Sequence, residues 1–122
     1  MAPRDSNPSF MNGVPELLIL TLLRSHEMYG YEIVQAIHDR TQQAIAIGEG
    51  VVYPVLHALE EQGALRSHRK TVAGRSRIYY SLTRPGARRL ADLTANWTHI
   101  TSAIQTLVTN YVIGGTHAQA IA

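Results

Sequence analysis

The chain has 122 residues, 45% of them hydrophobic, which suits one globular core and argues against extended disorder. It holds no cysteine, so disulfide frameworks, thiolate metal sites and cysteine nucleophiles are excluded. The net charge of +2 hides a segregation. Between Gln62 and Ala91 there is no Asp or Glu, yet eight of the eleven Lys and Arg residues fall there: Arg66, Arg69, Lys70, Arg75, Arg77, Arg84, Arg88 and Arg89. A solvated mixed-charge surface interleaves signs, so this stretch points to a polyanionic partner, nucleic acid first and an anionic membrane surface second. The near-apolar run Leu17–Leu23 is far short of the about 20 residues that cross a bilayer, and it lacks a basic leader and cleavage site. A cytoplasmic location is expected.

Residues 1–13, rich in Pro, Ser and Asn, read as a flexible N-terminal tail. A first helix is predicted from Pro15 to about Arg24, with Pro15 preset for the first turn and Glu16 at the positive end of the dipole. His26–Gly30 reads as a connector. A second helix follows over Tyr31–Arg40, with Ile33, Val34 and Ile37 turned inward. Ala44–Ile47 is short and apolar, and is predicted as an edge strand. A third helix runs from Val51 to Gln62 and stops at Gly63. Val52, Leu56 and Leu59 form its buried stripe, Pro54 is tolerated in its first turn, and Tyr53 and His57 point outward.

Leu65–Val72 and Arg77–Thr83 flank Ala73-Gly74-Arg75-Ser76 and predict a hairpin. Ile78, Tyr80 and Leu82 alternate with Arg77, Tyr79 and Ser81, which places one set on a packed face and the other in water. Thr83 is the candidate N-cap of a long final helix reaching about Asn110. Gly86, Leu90, Leu93, Trp97, Ile100, Ile104, Leu107 and Tyr111 are spaced alternately by four and three, a heptad seam. A small domain cannot cover so long a seam, so Leu90, Leu93, Trp97, Ile100, Ile104, Leu107 and Tyr111 are the candidate dimerisation residues. The expected organisation is a winged helix-turn-helix domain over 14–83, a dimerisation helix over 84–111 and a flexible tail over 112–122. The fold class is mainly α with a small β-hairpin wing.

In such a plan the third helix enters the major groove of DNA, about 12 Å wide, and its first turns reach the base edges. Tyr53 and His57 are the candidate readers. Arg75, at the wing tip, suits the negative potential of a narrow minor groove, and Arg66, Arg69, Lys70 and Arg77 suit phosphates. The implied partner is a pseudo-palindromic DNA operator, bound by a homodimer. Alternatives stay open for each: the basic stretch as a plain solvated hairpin, and Tyr53 as a packing residue.

Trp97 lies midway along the seam, where two copies would meet. It is either an ordinary interface anchor or one of two rings that stack a flat aromatic or cationic effector, with Leu17, Leu18, Leu93 and Ile100 as walls. The six histidines (His26, His38, His57, His68, His99 and His117) show no i,i+4 pairing, so no metal and no cofactor is expected. No phosphate-cradling loop, carboxylate pair or nucleophile motif marks an enzyme. Two other classes compete with the DNA-binding regulator: a small-molecule or metal-binding dimer, and a winged helix that binds a protein partner.

Several stretches resemble the PadR-like regulators. They are Gly30-Tyr31-Glu32-Ile33, Glu49-Gly50-Val51-Val52-Tyr53-Pro54-Val55-Leu56 with Leu59-Glu60 and Gly63, and Arg77-Ile78-Tyr79-Tyr80-Ser81-Leu82-Thr83 with Gly86. The resemblance spans roughly 14–93 and, by length, is to the small subfamily with one C-terminal dimerisation helix. It implies a transcriptional repressor, often of its own gene or of efflux and detoxification genes, released by a small ligand. Some relatives hold planar drugs between paired tryptophans. It also implies that the Tyr-Pro helix reads DNA through Tyr53, assisted by His57, Lys70 and Arg75. The chain departs from the family pattern in lacking a hydroxyl residue near Gly48 and in having Val51 where the family often has Thr. Both changes weaken the helix cap and alter one base contact.

Overall fold

Helix α1, Val14–Ser25, begins with Pro15 and Glu16 in its first turn, as the sequence predicts, and buries Ile19, Leu20, Leu22 and Leu23. In this computed structural model residues 13–121 are described, with side chains through 111. Among these residues there are four helices and three strands. Strand β1, Met28–Tyr29, leads directly into helix α2, Gly30–Arg40, which buries Ile33 and Ile37. The backbone N–H of Tyr29 donates to Glu32 Oε1 at 3.3 Å, so the third residue of α2 closes its own helix start. Helix α3, Glu49–Glu61, buries Val52, Leu56 and Leu59 on one stripe. Gly63, at φ +84°, then turns the chain through a conformation that costs other residues strain.

Strands β2, Leu65–Val72, and β3, Arg75–Leu82, pair antiparallel, with Leu65 opposite Leu82 and Val72 opposite Arg75. The four-residue turn expected over Ala73–Ser76 is tighter than that. Only Ala73 and Gly74 connect the strands, both with positive φ (53° and 79°), the two-residue turn whose twist matches a hairpin. Arg75 and Ser76 are thereby strand residues.

The third strand is not where composition places it. Ala44–Ile47 forms no strand; Gln42 and Gln43 have positive φ, and the Ile45 N–H is bound at 3.1 Å by the Thr41 hydroxyl, so the segment coils toward α3. The free edge of β3 is filled by β1, with Met28 opposite Tyr80 and Tyr29 opposite Tyr79, giving the order β1-β3-β2. The segment expected as a connector is therefore half strand. This central position also corrects the predicted alternation along β3. Tyr79 and Tyr80 are both buried, because both faces of the strand are covered.

The core gathers Ile19, Leu20, Ile33, Val52 and Leu56, none of them measurably exposed, with Met28, Leu59, Leu65 and Tyr80 around them. Burying each large side chain contributes about 2 kcal/mol. Helix α4, Arg84–Ile121, starts at Thr83, whose hydroxyl accepts the Gly86 N–H at 3.0 Å and donates to the Gly63 carbonyl at 2.6 Å. A Cβ on Gly86 would lie 2.0 Å from the Ala64 carbonyl oxygen, so only glycine lets this first turn sit on the start of β2. Arg89 pairs with Glu16 of α1. The glycines at 114 and 115 do not end α4, which continues to Ile121 beyond the expected Asn110, since glycine lowers helix propensity without forbidding helix. Of the tail expected over 112–122, the backbone to Ile121 continues α4 and the side chains lie outside the described residues; of the tail expected over 1–13, residues 1–12 lie outside the described residues. The chain divides after Ala91 into two units, and α4 contributes to both.

Candidate nucleic-acid interface

The outward face of α3 is built by elimination. With Val52, Leu56 and Leu59 in the core, helical geometry turns Gly50, Pro54, His57, Ala58 and Glu61 to the opposite side, and all five are exposed. Tyr53 and His57 share this region, their rings 6.3 Å apart. Tyr53 is only half exposed, because its ring lies over the start of α2: a Cβ on Gly30 would fall 2.4 Å from it. Burial raises the Tyr53 hydroxyl above the usual phenol range, with Glu49 adding to the effect. Gly30 of the Gly-Tyr-Glu stretch is therefore the bed on which the Tyr53 ring of α3 rests. Gly48, extended at the N-cap, supplies no side-chain hydrogen bond to α3, as the missing hydroxyl leads one to expect.

Strand alternation sorts the wing into two faces. Arg66, His68, Lys70, Arg75 and Arg77 lie on one face with Tyr79 and Tyr29; Ser67, Arg69, Ser76, Ile78 and Tyr80 lie on the other. The second face turns toward α3, where the Ser67 hydroxyl donates to Glu60 Oε2 at 2.6 Å.

On the first face the basic residues are not equivalent. Glu27, just before β1, pairs with Lys70 and lies 3.3 Å from His68 Nε2. The Lys70 ammonium sits 4.5 Å from the Tyr79 ring centre, and the Arg77 guanidinium 4.3 Å from that of Tyr29. Tyr29 and Tyr79 meet edge-on at 5.4 Å, and His68 stacks on Tyr79. The hydrogen bond from Lys70 holds the Glu27 carboxyl below the usual carboxylate range and raises the Lys70 ammonium above its own. Composition alone missed this cluster. The signal was present: Glu27 is an acid just before the stretch that becomes β1, and the paired tyrosines sit on the central strand.

Arg66, Arg69 and Arg75 differ. All three are exposed, and among the described residues none pairs with a carboxylate; Arg69 hydrogen-bonds only the Ser76 hydroxyl, at 3.2 Å.

The seam residues also separate. Leu90 is spent in the domain core at 5% exposure, while Trp97, Ile104, Leu107 and Tyr111 are exposed and Leu93 and Ile100 are half-buried. Of the expected effector walls, Leu17 and Leu18 are half-buried on α1. Among the described residues no group of histidines and acids could hold a metal, and no helix is long and apolar enough to cross a membrane.

Three helices, a three-stranded sheet ending in a basic hairpin, and a following long helix define a winged helix-turn-helix protein. The sequence pattern of the transcriptional regulator PadR-like family matches residues 19–92. The transcriptional regulator YqjI of Escherichia coli is 36% identical over 83 residues, which are 68% of this chain and 39% of that protein. A transcriptional regulator from Clostridium thermocellum has a similar structure, with a TM-score of 0.74 and 27% identity over 82% of this chain and 95% of the other. Bacillus subtilis PadR, solved in complex with operator DNA, superposes with a TM-score of 0.59 and 28% identity over 65% of this chain and 45% of its own. The chain belongs to the PadR-like family of transcriptional regulators, a family of regulators rather than enzymes.

Proposed function

We propose that this chain is a DNA-binding repressor that acts as a homodimer on a pseudo-palindromic operator in the cytoplasm. The observation that carries the reading is the union of an outward α3 face with an acid-free wing whose Arg66, Arg69 and Arg75 keep unpaired charge for phosphates. The Bacillus subtilis relative bound to operator DNA supports it. In this reading Arg66 and Arg69 orient the protein on the backbone, and Arg75, the first residue of β3 beside the two-residue turn, reaches the minor groove. Lys70 and Arg77 hold the wing's shape through Glu27 and Tyr29. Winged domains occupy 14–83, and helices from residue 84 join two of them.

The dimer is supported by the exposed apolar stripe of α4, where Leu107 and Tyr111 are 68% and 77% exposed. Trp97, between Leu93 and Ile100 on that seam, is the effector contact. A planar cation bound there favours one dimer geometry over another and weakens operator binding only by its differential affinity for the two.

The test is a fluorescence-anisotropy titration against duplex from upstream of the gene and a scrambled duplex, at two salt concentrations. Tight, sequence-selective binding that falls steeply with salt is expected, since each neutralised phosphate releases counterions. Equal, weak binding to both duplexes contradicts the reading. For the effector, ethidium added without DNA is expected to quench Trp97 fluorescence, and an unchanged emission removes that site.

A further inference from the structure

Resting on the DNA-binding reading, the composition of the reader helix narrows how it recognises bases. Glu49–Glu61 contains no Arg, Lys, Asn, Gln, Ser or Thr. The pairs that supply most direct readout, Arg or Lys to guanine and Asn or Gln to adenine, are therefore absent from this helix. What it turns outward is mostly bare or apolar: Gly50, Pro54 and Ala58, with His57 among them and Glu61 in the last turn.

Two neighbouring positions stand apart. Val51 is 45% exposed beside Val52, which is completely buried, so one valine of the pair serves the core and the other presents its methyl groups outside. Gly50 has no structural reason to be glycine. Gly63 and Gly74 need positive φ, and Gly30 and Gly86 face atoms that a Cβ would strike. Gly48 is an N-cap, where glycine is accepted. Gly50 has no positive φ, and a Cβ there would meet open space. Glycine within a helix is a cost to folding. Its presence on the outward face, next to an exposed valine, fits a close approach by something outside the chain.

We propose that α3 recognises thymine methyl groups in the major groove: Gly50 leaves the helix bare so that it seats against the base edges, and Val51 makes apolar contact with a thymine C5-methyl. Among the four bases only thymine carries such a group, so an apolar side chain here carries sequence information that a phosphate contact does not.

The 122-residue chain is used to select duplexes from a library with a random core, and each thymine of the selected site is then replaced by uracil, which deletes only the methyl. At one thymine per half-site this replacement is expected to weaken wild-type binding about fourfold, the worth of one buried carbon. Val51→Ala is expected to weaken binding to the thymine duplex by a similar factor and to bind the uracil duplex no worse than the thymine one. Gly50→Ala is expected to weaken binding about tenfold through overpacking, while its thermal midpoint is unchanged or raised. Wild-type affinity that ignores every uracil, or a Val51→Ala protein that still discriminates, overturns the proposal and leaves DNA binding standing. A library that yields no enriched duplex overturns the DNA-binding reading itself, and the proposal with it.

Discussion

The winged domain and the later part of α4 use apolar residues in opposite ways. Up to Leu90 most large aliphatic side chains, Val51 and Val72 excepted, close over one another, and Ile19, Leu20, Ile33, Val52 and Leu56 have no exposure at all. Beyond it, Ile104, Leu107, Val108 and Tyr111 repeat at helical spacing and remain exposed. A sequence that can bury its apolar residues and does so makes a domain. One that spaces them along a helix face and leaves them open prepares an interface.

The largest expected effect that separates the two comes from Leu56→Ala. It leaves a cavity at a site with no exposure and is expected to lower unfolding stability by about 3 kcal/mol in urea denaturation. Leu107→Glu, placing a charge on the exposed stripe, is expected to weaken self-association by about 2 kcal/mol, roughly 30-fold, in sedimentation equilibrium. Urea unfolding of the winged domain should not respond, and a loss of its stability equal to that of Leu56→Ala would erase the distinction. Gly86→Ala tests the joint where α4 leaves the domain. Its Cβ meets the Ala64 carbonyl, and a loss of about 2 kcal/mol is expected, with the helix start forced away from β2.

Smaller effects divide the wing in the same spirit, between residues committed to one another and residues left open. The Glu27 carboxyl titrates below its ordinary value of 4.5, so its contribution to stability is present above that value and is lost as pH falls through the lowered one. Lys70, raised above 10.5, contributes below that value and loses its contribution as pH rises past the raised one. Glu27→Gln is expected to flatten the acid limb of the urea midpoint plotted against pH; an acid limb identical to wild type would show that the pair does not hold the wing. Arg75→Ala should leave stability alone and reduce the slope of log K against log salt by about 1 in the anisotropy titration.

Much of the fold was legible in the sequence because helical periodicity and turn residues are local signals. Val52, Leu56 and Leu59 gave the inner stripe of α3, Gly63 its end, and Thr83 the start of α4. The misses have a common physical origin. Ala44–Ile47 looked like a strand by composition, but positive φ at Gln42 and Gln43 and the Thr41 hydroxyl on the Ile45 N–H coil the segment, and Met28–Tyr29 pairs with β3 instead. Tyr79 was expected in water because alternation assumes one wet face, whereas Glu27 and Tyr29, far upstream, join His68 and Lys70 of the neighbouring strand in closing over that face. The same holds at the candidate site: Tyr53 and the wing arginines were visible in the charge and motif pattern. That Gly30 beds Tyr53, and that Lys70 and Arg77 are engaged while Arg66 and Arg75 are not, depends on tertiary pairing.

The most direct test of the regulator reading is a hydroxyl-radical footprint of the 122-residue chain on a selected duplex. Two reader helices held by one seam are expected to protect two patches on the same face of the duplex, with centres about 10 base pairs apart or a multiple of that. A single unrepeated patch, or uniform cleavage at saturating protein, would contradict a dimeric winged-helix regulator.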